Sequence, residues 1–258
     1  MPPDLCVGGQ TKDTMMDKAL LDIRGVSKNF GGLRAVNNVS FSVAEGELLG
    51  IAGPNGSGKS TLFNCITGIP YGPNSGQIRF RNERIERWTP QRIARGGLTR
   101  TFQIDAEFPD LSARDTIRLG AHSAGKISGK EAALQTDATL ERVHFSLERA
   151  DMPTAELSVY EKKQLMIASA LVSQPAVLML DEPASGLARP EIAALDELLR
   201  ELNIAGVTVL LIEHVLSLLL SVSRRLIVLN QGSLLAEGDP QSVIREPAVI
   251  EAYLGGRK

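Results

Sequence analysis

Cysteine is scarce in this sequence. Cys6 and Cys65 stand too far apart and are too few for a disulfide framework or a cysteine-rich zinc site, which suits a reducing compartment, with the cytosol as the default. Charge of one sign is lacking too: 28 Lys and Arg face 30 Asp and Glu, and a net charge of −2 excludes a globally basic nucleic-acid binder. Long apolar runs are also missing. The most apolar stretch, Val207 to Val222, is broken by Glu213 and His214 and is too short for a hydrocarbon core of about 30 Å, so the chain is expected not to enter a membrane by itself. Met1 to Leu20 carry Asp4, Asp13 and Asp17 and have no basic start followed by an apolar core. They do not read as a signal peptide, and residues 1–19 are taken as a flexible extension. With 13 Pro in 258 residues and 43% hydrophobic side chains, long disordered or fibrous regions are excluded and a buried core is well within reach.

What is present alternates. Leu21 and Ile23, then Val39, Phe41 and Val43, follow the period-two pattern of half-buried strands, whereas Leu48, Leu49, Ile51 and Ala52 stay apolar on both faces, as a central strand does. Gln77 to Arg81 reads as a further strand, and Thr89-Pro90 as an N-cap with a helical first turn. From Ser112 to about Ala150 strand signals vanish and Ala, Leu, Glu and Lys dominate, which predicts a helical insertion. Strand and helix then alternate: a helix from Val159, a strand over Val177 to Leu180, a helix from Pro190, a strand over Val207 to Ile212, a helix from Val215 and a strand over Leu226 to Asn230. Such alternation implies parallel strands with right-handed crossovers, hence a doubly wound α/β core.

Between the central strand and a helix lies Gly53-Pro54-Asn55-Gly56-Ser57-Gly58-Lys59-Ser60-Thr61, which fits the P-loop pattern in the context that pattern requires. Glycines let successive backbone N–H groups turn inward, and the positive end of the following helix adds to their field, so the main chain binds a polyphosphate. Lys59 is then placed to reach the β- and γ-phosphates and the Ser60 hydroxyl to ligate magnesium. Asp181 and Glu182 follow the apolar strand Val177 to Leu180 at its carboxyl end, where α/β proteins hold ligands. Asp181 suits a magnesium ligand and Glu182 the general base for an attacking water, although paired acids at a strand end also serve as helix caps.

Taken together, these motifs resemble the ATP-binding subunit of an ABC transporter from about Leu20 to Leu254. Phe30, in Ser27 to Gly32, matches the family's adenine-stacking aromatic, Gln103, in Thr101-Phe102-Gln103, the glutamine that touches magnesium and moves with the transmembrane partner, and His214 the histidine at the γ-phosphate. Without the resemblance, Phe30 reads as a core aromatic and His214 as a structural histidine. Phe30 to Val36, Ile212-Glu213-His214, Val228 to Gly232 and Ile250 to Leu254 are similar to the branched-chain amino acid type importers. The resemblance implies a P-loop ATPase domain over 20–254, with an N-terminal antiparallel β subdomain, a helical signature subdomain at about 104–172, and a tail at 255–258. It implies ATP and Mg2+ as ligands and a place on the cytoplasmic face of the membrane. It further implies permease subunits, a second ATPase subunit, identical or different, and a solute-binding protein met only indirectly. The solute itself touches other components.

One motif departs from the family. Where relatives have Leu-Ser-Gly-Gly-Gln, this chain has Leu157-Ser158-Val159-Tyr160-Glu161, and Gln164 and Ser169 replace later arginines. Ser158 remains for a partner's nucleotide, and with Glu161 it forms a capping-box pattern that preserves the helix. Tyr160 is expected to crowd the phosphate approach. The departure therefore predicts an asymmetric pair, in which this chain's phosphate loop serves a competent site and its signature a weaker one. The segment holding Arg79, Arg81, Arg84, Arg87, Arg92, Arg95 and Arg100 against Glu83 and Glu86 reads as a solvated face and not as a nucleic-acid surface. A soluble single-cassette ATPase of cofactor assembly or nucleic-acid work is the alternative function, and Phe108 and Leu111 are expected to offer apolar contact to a permease.

Overall fold

A computed structural model describes residues 19–101, 108–123 and 130–254. Residues 1–18, Gln103 and the tail at 255–258 lie outside the described residues. Ala19, placed by the sequence in the extension, is the first residue of a strand.

The chain opens as antiparallel sheet. β1 (Ala19–Phe30), β2 (Leu33–Ala44), β4 (Ser75–Phe80) and β5 (Glu83–Arg84) lie in the order β2-β1-β4-β5. The second sheet holds β3 (Leu48–Ala52), β6 (Leu98–Arg100), β7 (Val177–Asp181), β8 (Thr208–Ile212), β9 (Arg225–Asn230) and β10 (Ser233–Gly238), in the order β10-β9-β3-β8-β7-β6. Its strands run parallel except β10, which returns on β9 through Gln231 and Gly232. Both turn residues have positive φ, 46° and 80°, as a tight hairpin matched to strand twist requires. β6 and β10 were not expected from the sequence. β6 is three residues long, and β10 gains its place from pairing with β9.

The helices are α1 (Lys59–Thr67), α2 (Pro90–Gly96), α3 (Ala113–Ser123), α4 (Lys130–Arg142), α5 (Val159–Leu171), α6 (Arg189–Ile204), α7 (Leu216–Val222), α8 (Pro240–Val243) and α9 (Pro247–Leu254). Thr89 caps α2 as expected, accepting from the Arg92 N–H.

The parallel sheet separates two cores, and successive residues of one strand feed opposite sides. Leu178 and Leu180 of β7 and Val209 and Leu211 of β8 pack with α3, α5, α6 and α7. Val177 and Met179, with Leu210 and Ile212, pack with α1 and the antiparallel sheet. All five residues of β3, of β7 and of β8 are buried, which explains why these strands read as unbroken apolar runs. α3, α4 and α5 form the helical insertion. Arg114 of α3 pairs with Asp151 at 2.9 Å and contacts Asp137 of α4, and Gln164 of α5 donates to the Val143 carbonyl at 2.8 Å. Gln164 is 3% exposed, so the residue that replaces the relatives' arginine tethers the end of α4 from inside.

The arginine-rich segment is solvated over most of its length: Arg81, Arg84, Arg87, Arg92 and Arg95 are exposed, with Arg81 over Phe80, Arg92 over Trp88 and Arg84 against Glu86, whereas Arg100 is buried against Asp181. Burial of Arg100 follows from its place at the end of β6, beside Met179 of β7.

Leu211 is fully buried beneath α6 and α7. Leu211→Ala is expected to lower unfolding free energy by about 2–5 kcal/mol, read from the shift in urea midpoint, and a smaller loss than about 1 kcal/mol would mean that the site collapses around the gap.

Candidate functional site

The glycine-rich loop begins where β3 ends. Gly53 has φ +145° and a Cβ there would lie 2.2 Å from the Leu229 carbonyl oxygen; Gly58, at φ +104°, is the N-cap of α1, and its Cβ would lie 2.4 Å from the Ala35 oxygen. Neither position admits a side chain, which is why the pattern requires glycine there. Pro54 is half-buried, Asn55 and Gly56 are exposed, and Ser57 is 2% exposed with its hydroxyl unpartnered. Ser60 and Thr61 lie half-exposed in the first turn of α1.

Lys59, 5% exposed, spans the loop from within: its Nζ donates to Gly53 O at 2.8 Å and to Pro54 O at 3.1 Å. Burial lowers its pKa, while the carboxylates of Glu182 and Asp181 pull the other way. A desolvated ammonium held on two carbonyls is a donor that an incoming phosphate can take over.

Asp181 is the last residue of β7 and 1% exposed. Arg100 holds its Oδ2 at 2.6 Å and reaches Asn64 Oδ1 at 2.5 Å, while Asp181 Oδ1 is buried without a hydrogen-bond partner. A buried carboxylate oxygen with open lone pairs is what a divalent cation would use. Among the described residues no cluster of three His, Cys, Asp or Glu could hold a metal, so a cation here would rely on hydroxyls and phosphate oxygens besides Asp181. That donor set fits Mg2+, which favours one or two carboxylates plus substrate phosphates.

Glu182 follows in the left-handed region at φ 52°, and its N–H donates to Ile212 O at 2.9 Å. The turn throws its carboxylate sideways onto His214 Nε2. Three adjacent strands therefore deliver the candidate groups together: β3 the glycine loop, β7 the acid pair and β8, between them, the histidine.

Three neighbours escaped the sequence reading. Glu213 is 3% exposed; its Oε1 accepts from Ala184 N at 2.6 Å and its Oε2 from His214 N at 3.1 Å and Val215 N at 3.4 Å. One carboxylate thus ties the loop after Glu182 to the loop bearing His214. Its signal was visible as an acid inside an apolar run. Arg100 had no local signal, because its partner is 81 residues away. Tyr71 meets Phe30 edge-on, with ring centroids 5.0 Å apart, and Lys28 Nζ lies 4.5 Å from the Tyr71 centroid and 5.5 Å from that of Phe30. Phe30 itself stays 43% exposed and so is not the core aromatic that stands as its alternative.

Ser158 caps α5 as the sequence indicates: its hydroxyl accepts from Glu161 N at 3.2 Å, the Glu161 carboxylate accepts from Ser158 N at 2.8 Å, and Arg149 grips that carboxylate. Tyr160 is half-buried: its ring packs against the core, where burial first and the nearby Glu191 and Glu197 second raise its hydroxyl pKa. An amphipathic ring gains more from that apolar contact than from water. Val159 is the residue that stands out, 48% exposed beside Gly186. Phe108 is likewise 52% exposed, whereas Leu111 is partly covered.

Comparisons agree with this geometry. The ABC transporter family model matches residues 36–185, and the branched-chain amino acid ATP-binding cassette transporter model matches residues 233–258. The chain is 42% identical over 255 residues to the high-affinity branched-chain amino acid transport ATP-binding protein LivG of Salmonella typhimurium, covering 93% of this chain and 99% of that protein. A nucleotide-free ATP-binding cassette from an ABC transporter superposes with a TM-score of 0.84 at 30% identity, covering 91% of this chain and 98% of the other. A dimeric cassette in a post-hydrolysis state, bound to ADP and Pi, gives 0.77 at 26% identity, covering 85% and 98%.

Burial raises the Glu213 pKa above the ordinary value of 4.5, with Glu182 adding repulsion and the backbone donors opposing. The folded chain therefore holds this proton where the unfolded chain has lost it, and stability falls as pH rises from about 4.5 through the raised value. Glu213→Gln carries no such proton. Urea unfolding over a pH series is expected to show the variant gaining on the wild type across that window, and parallel curves would contradict the assignment.

Proposed function

The chain belongs to the ABC transporter family of ATP-binding cassettes, in its branched-chain amino acid type, and from that premise we propose that the ATP it hydrolyses drives import of branched-chain amino acids or related small organic solutes through a membrane permease. The observation that carries this reading is the convergence of Lys59, Asp181, Glu182 and His214 at the carboxyl ends of three adjacent strands.

In this reading the backbone of Gly53 to Thr61 cradles the phosphates, Phe30 stacks on the base, and Lys59 leaves its two carbonyls for the β- and γ-phosphates. Ser60, Asp181 and Gln103 would hold Mg2+, which would supply neutralising charge. Glu182 accepts a proton from water as the water oxygen attacks the γ-phosphorus and the bond to the β-bridging oxygen breaks, releasing ADP. His214 keeps the Glu182 carboxylate in place and turns to the γ-phosphate when nucleotide fills the site. The open turn at Glu182, stored at positive φ, is the kind of strain that a catalytic position retains.

Two ATPase subunits sandwich the nucleotides, a reading supported by the dimeric likeness bound to ADP and Pi. Ser158 at the start of α5 faces the partner's nucleotide, and Val159 narrows that approach, so the pair is asymmetric. The chain sits on the cytoplasmic face of the membrane, and the surface around Phe108 docks the permease. Among the described residues no helix is long and apolar enough to cross a membrane, in keeping with a peripheral seat. An external solute-binding protein meets the permease and not this subunit, and nucleic acid plays no part.

Glu182→Gln in the assembled transporter is expected to keep ATP binding and to lower turnover by about 10²–10⁴. Normal turnover would remove the general-base role. Val159→Gly, which leaves the Tyr160 packing intact, is expected to raise ATPase activity roughly tenfold, less than the 10²–10³ typical of a lost charge-stabilising donor because the backbone N–H at this position is present in both chains. No gain would count against asymmetry.

A further inference from the structure

The C-terminal helix reaches back to the phosphate loop. Tyr253, in the last turn of α9, accepts a hydrogen bond from the Gly53 N–H at 2.8 Å, across 200 residues of sequence. Gly53 is the residue whose carbonyl holds Lys59 Nζ at 2.8 Å and whose Cα is pressed against the Leu229 carbonyl. It is thus fixed from three directions: by β9, by its own lysine and by Tyr253. Val249, 3% exposed, seats α9 in the core and so gives the tyrosine a rigid base. Ala248, Glu251 and Ala252 of the same helix line a cavity of about 510 Å3 shared with Asn55, Gly56 and Ser57. The outer side of the loop therefore has the C-terminal helix as its wall.

We propose that Tyr253 is a positioning residue for the ATP site, its hydroxyl holding Gly53 so that the loop keeps its phosphate-binding shape when Lys59 departs. The physical reason lies in what nucleotide binding removes. The Lys59 bonds to Gly53 O and Pro54 O brace the empty loop, and they are surrendered when the ammonium turns to phosphate. Tyr253 takes the Gly53 N–H and Lys59 its carbonyl, so the tyrosine's bond does not depend on the one that is surrendered. Without it the loop must be ordered by ATP itself, and the ordering cost appears as weaker binding. The bond is made to the Gly53 N–H and not to the general base or its histidine, so the chemical step is left alone. The second family match, over residues 233–258, ends on this segment, and the hydrogen bond gives the segment a task in the nucleotide site.

The inference rests on the ATPase reading above. In the assembled transporter, Tyr253→Phe keeps the ring and removes only the hydroxyl. It is expected to raise KM for magnesium-ATP roughly three- to tenfold, the scale of one neutral hydrogen bond, with kcat unchanged. Calorimetric titration of the full-length chain with magnesium-ATP should show the same factor in Kd. Leu254→Ala, at a neighbouring residue 68% exposed on the same helix, should leave both constants unchanged. An unchanged KM in Tyr253→Phe, or a fall in kcat and thermal midpoint with KM constant, would overturn the positioning role. Failure of the wild-type chain to bind magnesium-ATP would instead sink the ATPase reading.

Discussion

The register that sets Ile51, Ile212 and Asp181 side by side along β3, β8 and β7 is the constraint on which the site depends. Residues that follow such a row must emerge together, whatever their separation in sequence. Gly53, Glu182 and Glu213 emerge there from chain positions more than a hundred residues apart at the extremes. Because all three strands are buried on both faces, a slip of one residue would exchange the two cores and unmake the row, so the energy that holds the fold also holds the chemistry. Catalytic geometry on such a base costs little extra, since each group needs only its own turn.

Those turns are satisfied in ways that anticipate a nucleotide. Lys59 rests on Gly53 O and Pro54 O, and the Glu182 carboxylate rests on His214. Each contact spares a buried or half-buried charge the cost of standing alone, and each can be traded for a contact to phosphate or water. Arg100 and Asp181 are different. Their buried pair, with side chains 5% and 2% exposed, fixes one carboxylate oxygen and leaves the other open, so the acid is oriented before any cation arrives. Removing one partner of such a pair strands a charge, at a typical cost of about 3–5 kcal/mol, which makes the arginine part of the support of the site.

Much of this was legible in the sequence because its causes are local. Glycines at fixed spacing after an apolar run, Ser158 three residues before Glu161, and Thr89 before Pro90 all act within one turn of chain. The structure places them as loop, capping box and cap. Arg100, Tyr253 and β10 were not legible, since each is defined by a partner distant in sequence or by a neighbouring strand. Tyr160 was legible in part for a related reason: its place at the start of a helix is local, but the core contact of its ring is made with residues distant in sequence, which no local pattern reports.

The signature helix shows how stability and chemistry part company. In the family pattern two glycines bare the backbone at the start of this helix. Here the same start is secured by the Ser158 and Glu161 cap, with Arg149 clamping the carboxylate. Burial by itself would raise the Glu161 pKa, but the hydrogen bonds from Ser158 and Arg149 together hold it below its ordinary value, so the cap is charged at neutral pH and complements the helix dipole. Further along, Gln164 spends its amide on the Val143 carbonyl and leaves α4 and α5 joined. Every departure from the family pattern along α5 is thus compensated as packing or capping, except Val159, whose branched side chain stands half in solvent with no such role. The helix needs no glycine to form, and only a ligand approaching its first turn would register the difference. The altered signature therefore leaves the fold of this chain intact.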